Sequence, residues 1–88
     1  MNKIERFLDK EGKIKQFPSK REPRYEVLSY LATKFSYERE YTEKEVNEII
    51  NDWHTFGDYF ILRRELIEKK FLRRTKDGAR YWKEAEEK

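Results

Sequence analysis

Residues 41–53 read Tyr41-Thr42-Glu43-Lys44-Glu45-Val46-Asn47-Glu48-Ile49-Ile50-Asn51-Asp52-Trp53, and their order decides the fold. Thr42 followed three residues later by Glu45 is a capping box, in which each side chain accepts a hydrogen bond from the other's backbone N–H. Tyr41 before the cap and Val46 at the fourth helical position add a hydrophobic staple. Val46, Ile49, Ile50 and Trp53 then form one buried stripe, with Lys44, Asn47 and Asn51 opposite. The pattern predicts a helix over 43–53.

Working outward, Trp53-His-Thr-Phe-Gly57 interrupts the stripe, and Asp58 is placed to cap a further helix over 59–70. Tyr59, Leu62, Leu66 and Ile67 share its apolar arc with Arg63 among them, while Ile61, Arg64, Glu65 and Glu68 point outward. The runs 71–75 and 79–83 flank Lys76-Asp77-Gly78, and Asp-Gly between strand-like runs predicts a hairpin over 71–83. Upstream, Val27, Leu28, Leu31, Ala32 and Phe35 lie on one arc of a helix over 25–35, with Glu26, Ser29, Thr33 and Lys34 opposite. Residues 1–24 read as a short N-terminal helix (Ile4, Phe7, Leu8) ended by Gly12, then an arm and a basic loop bracketed by Pro18 and Pro23. Residues 84–88 form an acidic tail. Helix, helix, helix and hairpin in this order predict a mostly α single domain with a small β-hairpin, a winged helix-turn-helix whose core is 25–83 and whose wing is 71–83.

The composition bounds the function. Within 88 residues, 44% are charged and only 36% hydrophobic, so the core must be small and aromatic, and 16% of the chain is Phe, Trp or Tyr. The absence of cysteine excludes disulfides, thiolate metal sites and cysteine nucleophiles, and fits a reducing, cytoplasmic setting. No apolar run approaches the roughly 20 residues that span a bilayer, and no signal-peptide pattern follows the N-terminus, so no membrane partner is expected.

The net charge of +3 is unevenly spread. Segment 12–24 is basic and 25–62 acidic, whereas 63–83 carries nine Lys and Arg against Glu65, Glu68 and Asp77. A basic surface for phosphate competes here with the plainer account of a solvated face on a highly charged domain.

Lys15-Gln-Phe-Pro-Ser-Lys-Arg21, Tyr41-Thr-Glu-Lys-Glu-Val-Asn-Glu-Ile49, Asp58 with Leu62-Arg-Arg-Glu-Leu66, and Gly78 before Tyr81-Trp82 resemble successive blocks of the bacterial family called domain of unknown function 2087. Together they span most of residues 7–83. The resemblance implies a link to transcription, since members occur as small free-standing proteins and as fusions behind ArsR-like regulators; it implies no established activity.

The candidate nucleic-acid contacts are Arg64 on the third helix, Lys69 and Lys70 at its end, and Arg73, Arg74, Lys76 and Arg80 in the wing. Glu65 and Glu68 on the outward face oppose phosphate, so contacts to backbone rather than strong sequence reading are expected. Arg63, on the buried side, calls for a structural ion pair, with Asp58, Glu45 or Glu48 as partner, and its loss is expected to unfold the domain. His54 between Asp52 and Asp58 lacks the further ligands of a metal site, and no Gly-rich phosphate loop or nucleophile motif exists, so no metal, cofactor or catalytic residue is assigned and the chain is not expected to be an enzyme. The aromatic residues are expected to pack in or against the core; Tyr30, on the polar side of its helix, is the candidate for a contact with another chain, as is Ile61. The alternative to DNA binding is a non-enzymatic module that docks onto a regulator protein or a second copy of itself.

Overall fold

The computed structural model describes residues 4–83, and the acidic tail assigned to 84–88 lies outside them. Three helices, α1 (Arg21–Ala32), α2 (Glu43–Asp52) and α3 (Tyr59–Glu68), and three short strands, β1 (Glu40–Tyr41), β2 (Arg73–Arg74) and β3 (Tyr81–Trp82), follow in the order α1-β1-α2-α3-β2-β3. A single 3-10 turn, Glu5–Phe7, precedes them in place of the expected N-terminal helix.

The local signals at α2 and α3 act as their chemistry requires. The Thr42 side chain accepts the Glu45 N–H while Glu45 accepts the Thr42 N–H, at 3.1 and 2.9 Å. Asp58 accepts the Ile61 N–H at the start of α3. These bonds satisfy donors that have no partner within the first turn.

α1 departs from expectation at both ends. It starts at Arg21, four residues before the expected Tyr25, and takes in Pro23. Proline in a first turn is compatible with a helix, because the N–H it lacks would have no intrahelical acceptor. The basic loop is therefore half helix. At the other end the chain tightens to i→i+3 bonds, with the Lys34 and Phe35 N–H groups on the Leu31 and Ala32 carbonyls, which carries Phe35 into the core.

The sheet holds one strand more than the hairpin. β1, joining α1 to α2, pairs antiparallel with β3, which in turn pairs with β2, giving the order β1-β3-β2. A two-residue strand has no room for an alternating pattern, so β1 leaves no periodic trace in the sequence. The hairpin strands are shorter and their loop wider than Asp-Gly suggests. The Thr75 N–H bonds the Arg80 carbonyl, and Asp77 accepts from both the Thr75 hydroxyl and the Ala79 N–H. Gly78, with φ of +76°, takes the left-handed position that closes this loop.

Val27, Leu28 and Leu31 of α1, Val46 and Ile50 of α2, and Leu62 and Leu66 of α3 converge with Tyr41, Leu72 and Tyr81 in one core. The N-terminal segment belongs to it. Ile4, Phe7 and Ile14 are buried, and Ile14 exchanges backbone bonds with Trp53 and Thr55 on the α2–α3 turn.

Candidate nucleic-acid interface

α3 is turned further toward Glu65 than its apolar pattern implies. Leu62, Glu65 and Leu66 are its buried residues, whereas Tyr59, expected inside, is 37% exposed, and Ile61, expected outside, packs against the core. Glu65 is 7% exposed and is held by Arg24 from α1 at 3.8 Å and by Lys69 at 3.4 Å. A carboxylate is tolerated at such depth when cations flank it, and α1 supplies one that the α3 sequence alone does not reveal. Glu65 is thus withdrawn from the outward face on which it was expected to repel phosphate.

Phe60, Arg64 and Glu68 remain exposed on α3, with Ile67 half-buried beside them. They form one side of a cleft of about 400 Å³ whose other lining includes Glu43 of α2 and Arg74 and Tyr81 of the sheet. Arg63 lies at its base. Its guanidinium donates to Asn47 and pairs with Glu43 at 3.3 Å, so the partner is on α2 but is neither Glu45 nor Glu48, nor the cap Asp58. The second Glu43 oxygen lies 3.2 Å from the Tyr81 hydroxyl. Burial, and then the Glu43 carboxylate, push the Tyr81 hydroxyl above its ordinary value, so it stays protonated and donates.

The expected basic residues do not gather in one place. Arg64 and Arg74 flank the α3–sheet cleft. Arg73 and Arg74 are successive residues of β2 and point to opposite faces of the sheet. Arg80 forms an ion pair with Glu40 across β1 and β3. Lys76 is exposed on the β2–β3 loop. Lys69 and Lys70 line a different cleft, between α1 and the turn after α3. Charge spacing along a sequence does not encode on which side of a helix end or strand each cation emerges.

His54 and Tyr30 both have structural partners. Asp58 N–H donates to His54 Nε2 at 2.9 Å, which leaves Nδ1 to carry the proton and donate to the Ile50 carbonyl at 2.7 Å. The ring ties the end of α2 to the start of α3. Tyr30 donates its hydroxyl to the Gly12 carbonyl at 2.6 Å and packs against the core, so the surface contact expected of it is made within the chain. The rings that do emerge are Tyr25, Tyr37, Phe56, Tyr59 and Phe60. Of these Tyr25, Tyr37 and Tyr59 were expected to pack. Tyr25 is on α1 and Tyr59 opens α3, whereas Tyr37 lies in the turn between α1 and β1, and the core leaves all three rings exposed.

Among the described residues no group of His, Asp and Glu is arranged to hold a metal ion, and no helix is long and apolar enough to cross a membrane. Residues 13–83 match the model of a family described as an uncharacterized protein conserved in bacteria, domain of unknown function 2087. No curated protein and no solved structure matches the chain.

Proposed function

The chain belongs to domain of unknown function 2087, a bacterial family whose members are uncharacterised, and on that premise we propose that it is a winged helix-turn-helix domain that binds nucleic acid through phosphate contacts from α3 and the wing. The topology supports the fold. A short strand between the first two helices that joins the last strand of a hairpin is the arrangement of a winged helix, and here β1 joins β3 in this way. α2, the connection 53–58 and α3 follow in the order of a helix-turn-helix, with a connection longer than the usual turn.

The observation that carries the binding is that Arg64 from α3 and Arg74 from the wing flank one cleft. Arg64 has no hydrogen bond or ion pair among the described residues, and Arg74 donates only at 3.4 Å to the Thr75 carbonyl. Both guanidiniums are available to phosphate oxygens. Phe60, Ile67 and Glu68 between them offer little for base edges, which favours backbone contacts over sequence reading.

A labelled mixed-sequence duplex followed by fluorescence anisotropy tests this at about 50 and about 200 mM salt. Binding is expected to weaken steeply with salt, and Arg64→Ala with Arg74→Ala to reduce the slope of log K against log salt by about 2. No binding at the lower salt refutes the reading.

Phe60 favours a second reading. At 54% exposed beside half-buried Ile67, it is the most exposed large hydrophobic side chain among the described residues, and apolar surface in a cleft suits a protein partner such as a regulator or a second copy. Self-association lost on Phe60→Ser, in a protein that ignores duplex DNA, would favour it.

A further inference from the structure

Away from the exposed side of α3, a second cleft of about 310 Å³ opens between the C-terminal half of α1 and the turn that follows α3. Its lining combines the rings of Tyr25, Tyr37 and Phe71 with the ammonium groups of Lys69, Lys70 and Lys83. Ser29 and Thr33 add hydroxyls at its edge. The chain holds 18 acidic residues, yet among the described residues none lines this cleft. Glu65, which pairs with Lys69, is itself buried and shared with Arg24.

Packing alone does not account for these side chains. Tyr25 and Tyr37 are 49% and 52% exposed, although Tyr25 lies 5.0 Å from the Phe71 ring and Tyr37 carries the Lys83 ammonium at 4.3 Å. Large ring surfaces left in water at a concave site are available to a flat partner. Lys83 has a structural task as well, since its Nζ donates to the Ala32 and Phe35 carbonyls at the end of α1. Lys70 has none: its ammonium has no partner among the described residues. Its backbone is also left-handed, with φ of 68°, in the position after a helix where glycine or asparagine sits without strain. A lysine in a left-handed conformation lining a basic, aromatic cleft points to a ligand.

We propose that this cleft is a binding site for a nucleoside phosphate, with the base lying against Tyr25 and Tyr37 and the phosphate held by Lys69 and Lys70 in the positive field of Lys83. Aromatic faces accept a base by stacking, and ammonium groups recognise phosphate as point charges. The cleft lies at the lower end of the roughly 300–1,000 Å³ range of small-ligand sites, so a single nucleotide is the occupant it suits. The site uses neither Arg64 nor Arg74 and stands or falls apart from the wing.

Isothermal titration of the intact protein with AMP, GMP, CMP and UMP, and with adenosine and inorganic phosphate as partial ligands, tests it. At least one monophosphate is expected to bind with Kd below about 1 mM, and adenosine and phosphate each at least about tenfold more weakly. Lys70→Gly is expected to weaken the nucleotide at least about fivefold while leaving Tm unchanged or raised, because glycine relieves the left-handed backbone. Arg64→Ala with Arg74→Ala should leave nucleotide binding intact even where it abolishes binding to duplex. The proposal is overturned if none of the four nucleotides binds at about 10 mM, if phosphate alone binds as tightly as a nucleotide, or if Lys70→Gly changes nothing. It is equally overturned if a single-stranded oligonucleotide binds through Lys70 while the mononucleotides do not, since the cleft would then follow a strand.

Discussion

Removing the Arg63 guanidinium leaves Glu43 and Asn47 of α2 without the donor that α3 supplies. The Arg63 side chain is only 14% exposed, but Glu43 is 47% exposed and keeps Tyr81, so solvent limits the loss. Arg63→Ala is therefore expected to destabilise the domain by about 1–2 kcal/mol, a fall in Tm of roughly 5–15 °C, rather than to unfold it. Arg64→Ala should stay within about 0.5 kcal/mol of the parent. Thermal melts of the two variants check this, and equal midpoints would contradict it. The need of Arg63 for a polar partner is legible in its place on an apolar arc. The identity of that partner is not, because Glu43 and Glu48 are both on α2 and only the crossing of α2 with α3 selects between them. Glu65 is the converse case, a carboxylate whose burial depends on Arg24, some forty residues earlier in the chain.

The start of α2 is the element whose sequence speaks most directly, because a capping box is complete within four residues. Thr42→Ala is expected to cost about 1 kcal/mol. The backbone bond from Thr42, and then the nearby Arg39, hold the Glu45 carboxyl below the ordinary glutamate value. A group lowered on folding stabilises the native state above its unfolded value and loses that contribution as pH falls through the folded one. Stability should thus decline as pH drops below about 4.5, and Glu45→Gln, which can still accept the Thr42 N–H, should flatten that part of a Tm-against-pH profile. An unchanged profile would contradict the assignment. α1 and β1 were less legible for opposite reasons. Pro23 is a turn signal and a helix-start residue alike, and its neighbours do not separate the two. β1 exists only because β3 lies beside it.

At the scale of the molecule, the N-terminal segment is a structural part of the domain rather than an arm attached to a core of 25–83. Ile4, Phe7 and Ile14 share the buried cluster with α1, α2 and α3, and Ile14 is wholly inaccessible. A chain beginning at Arg21 would lose these side chains and the backbone bonds of Ile14 to the α2–α3 turn. Each buried aliphatic or aromatic side chain contributes about 1.5–3 kcal/mol, a large share of the stability of a small domain. The truncated chain is expected to show no cooperative melt by circular dichroism, and a sharp transition near that of the full chain would contradict this. The same scale explains why the candidate site was only partly readable. The basic residues of 63–83 were visible as a composition, but the division between the α3–sheet cleft and the α1 cleft depends on how α3 rolls against α1 and on the alternation of β2.

The sheet places its latest strand in the middle. β1 and β2 do not touch each other, and each is a strand only through β3. In folding, the helices can pack before residues 81 and 82 are placed, but neither outer strand has anything to join until then. Tyr81 also closes the core and reaches Glu43, so the same residue that completes the sheet completes the base of the α3 cleft. Until Tyr81 docks, α2 and α3 lack the second wall of their cleft, so that surface is finished in the same step as the sheet.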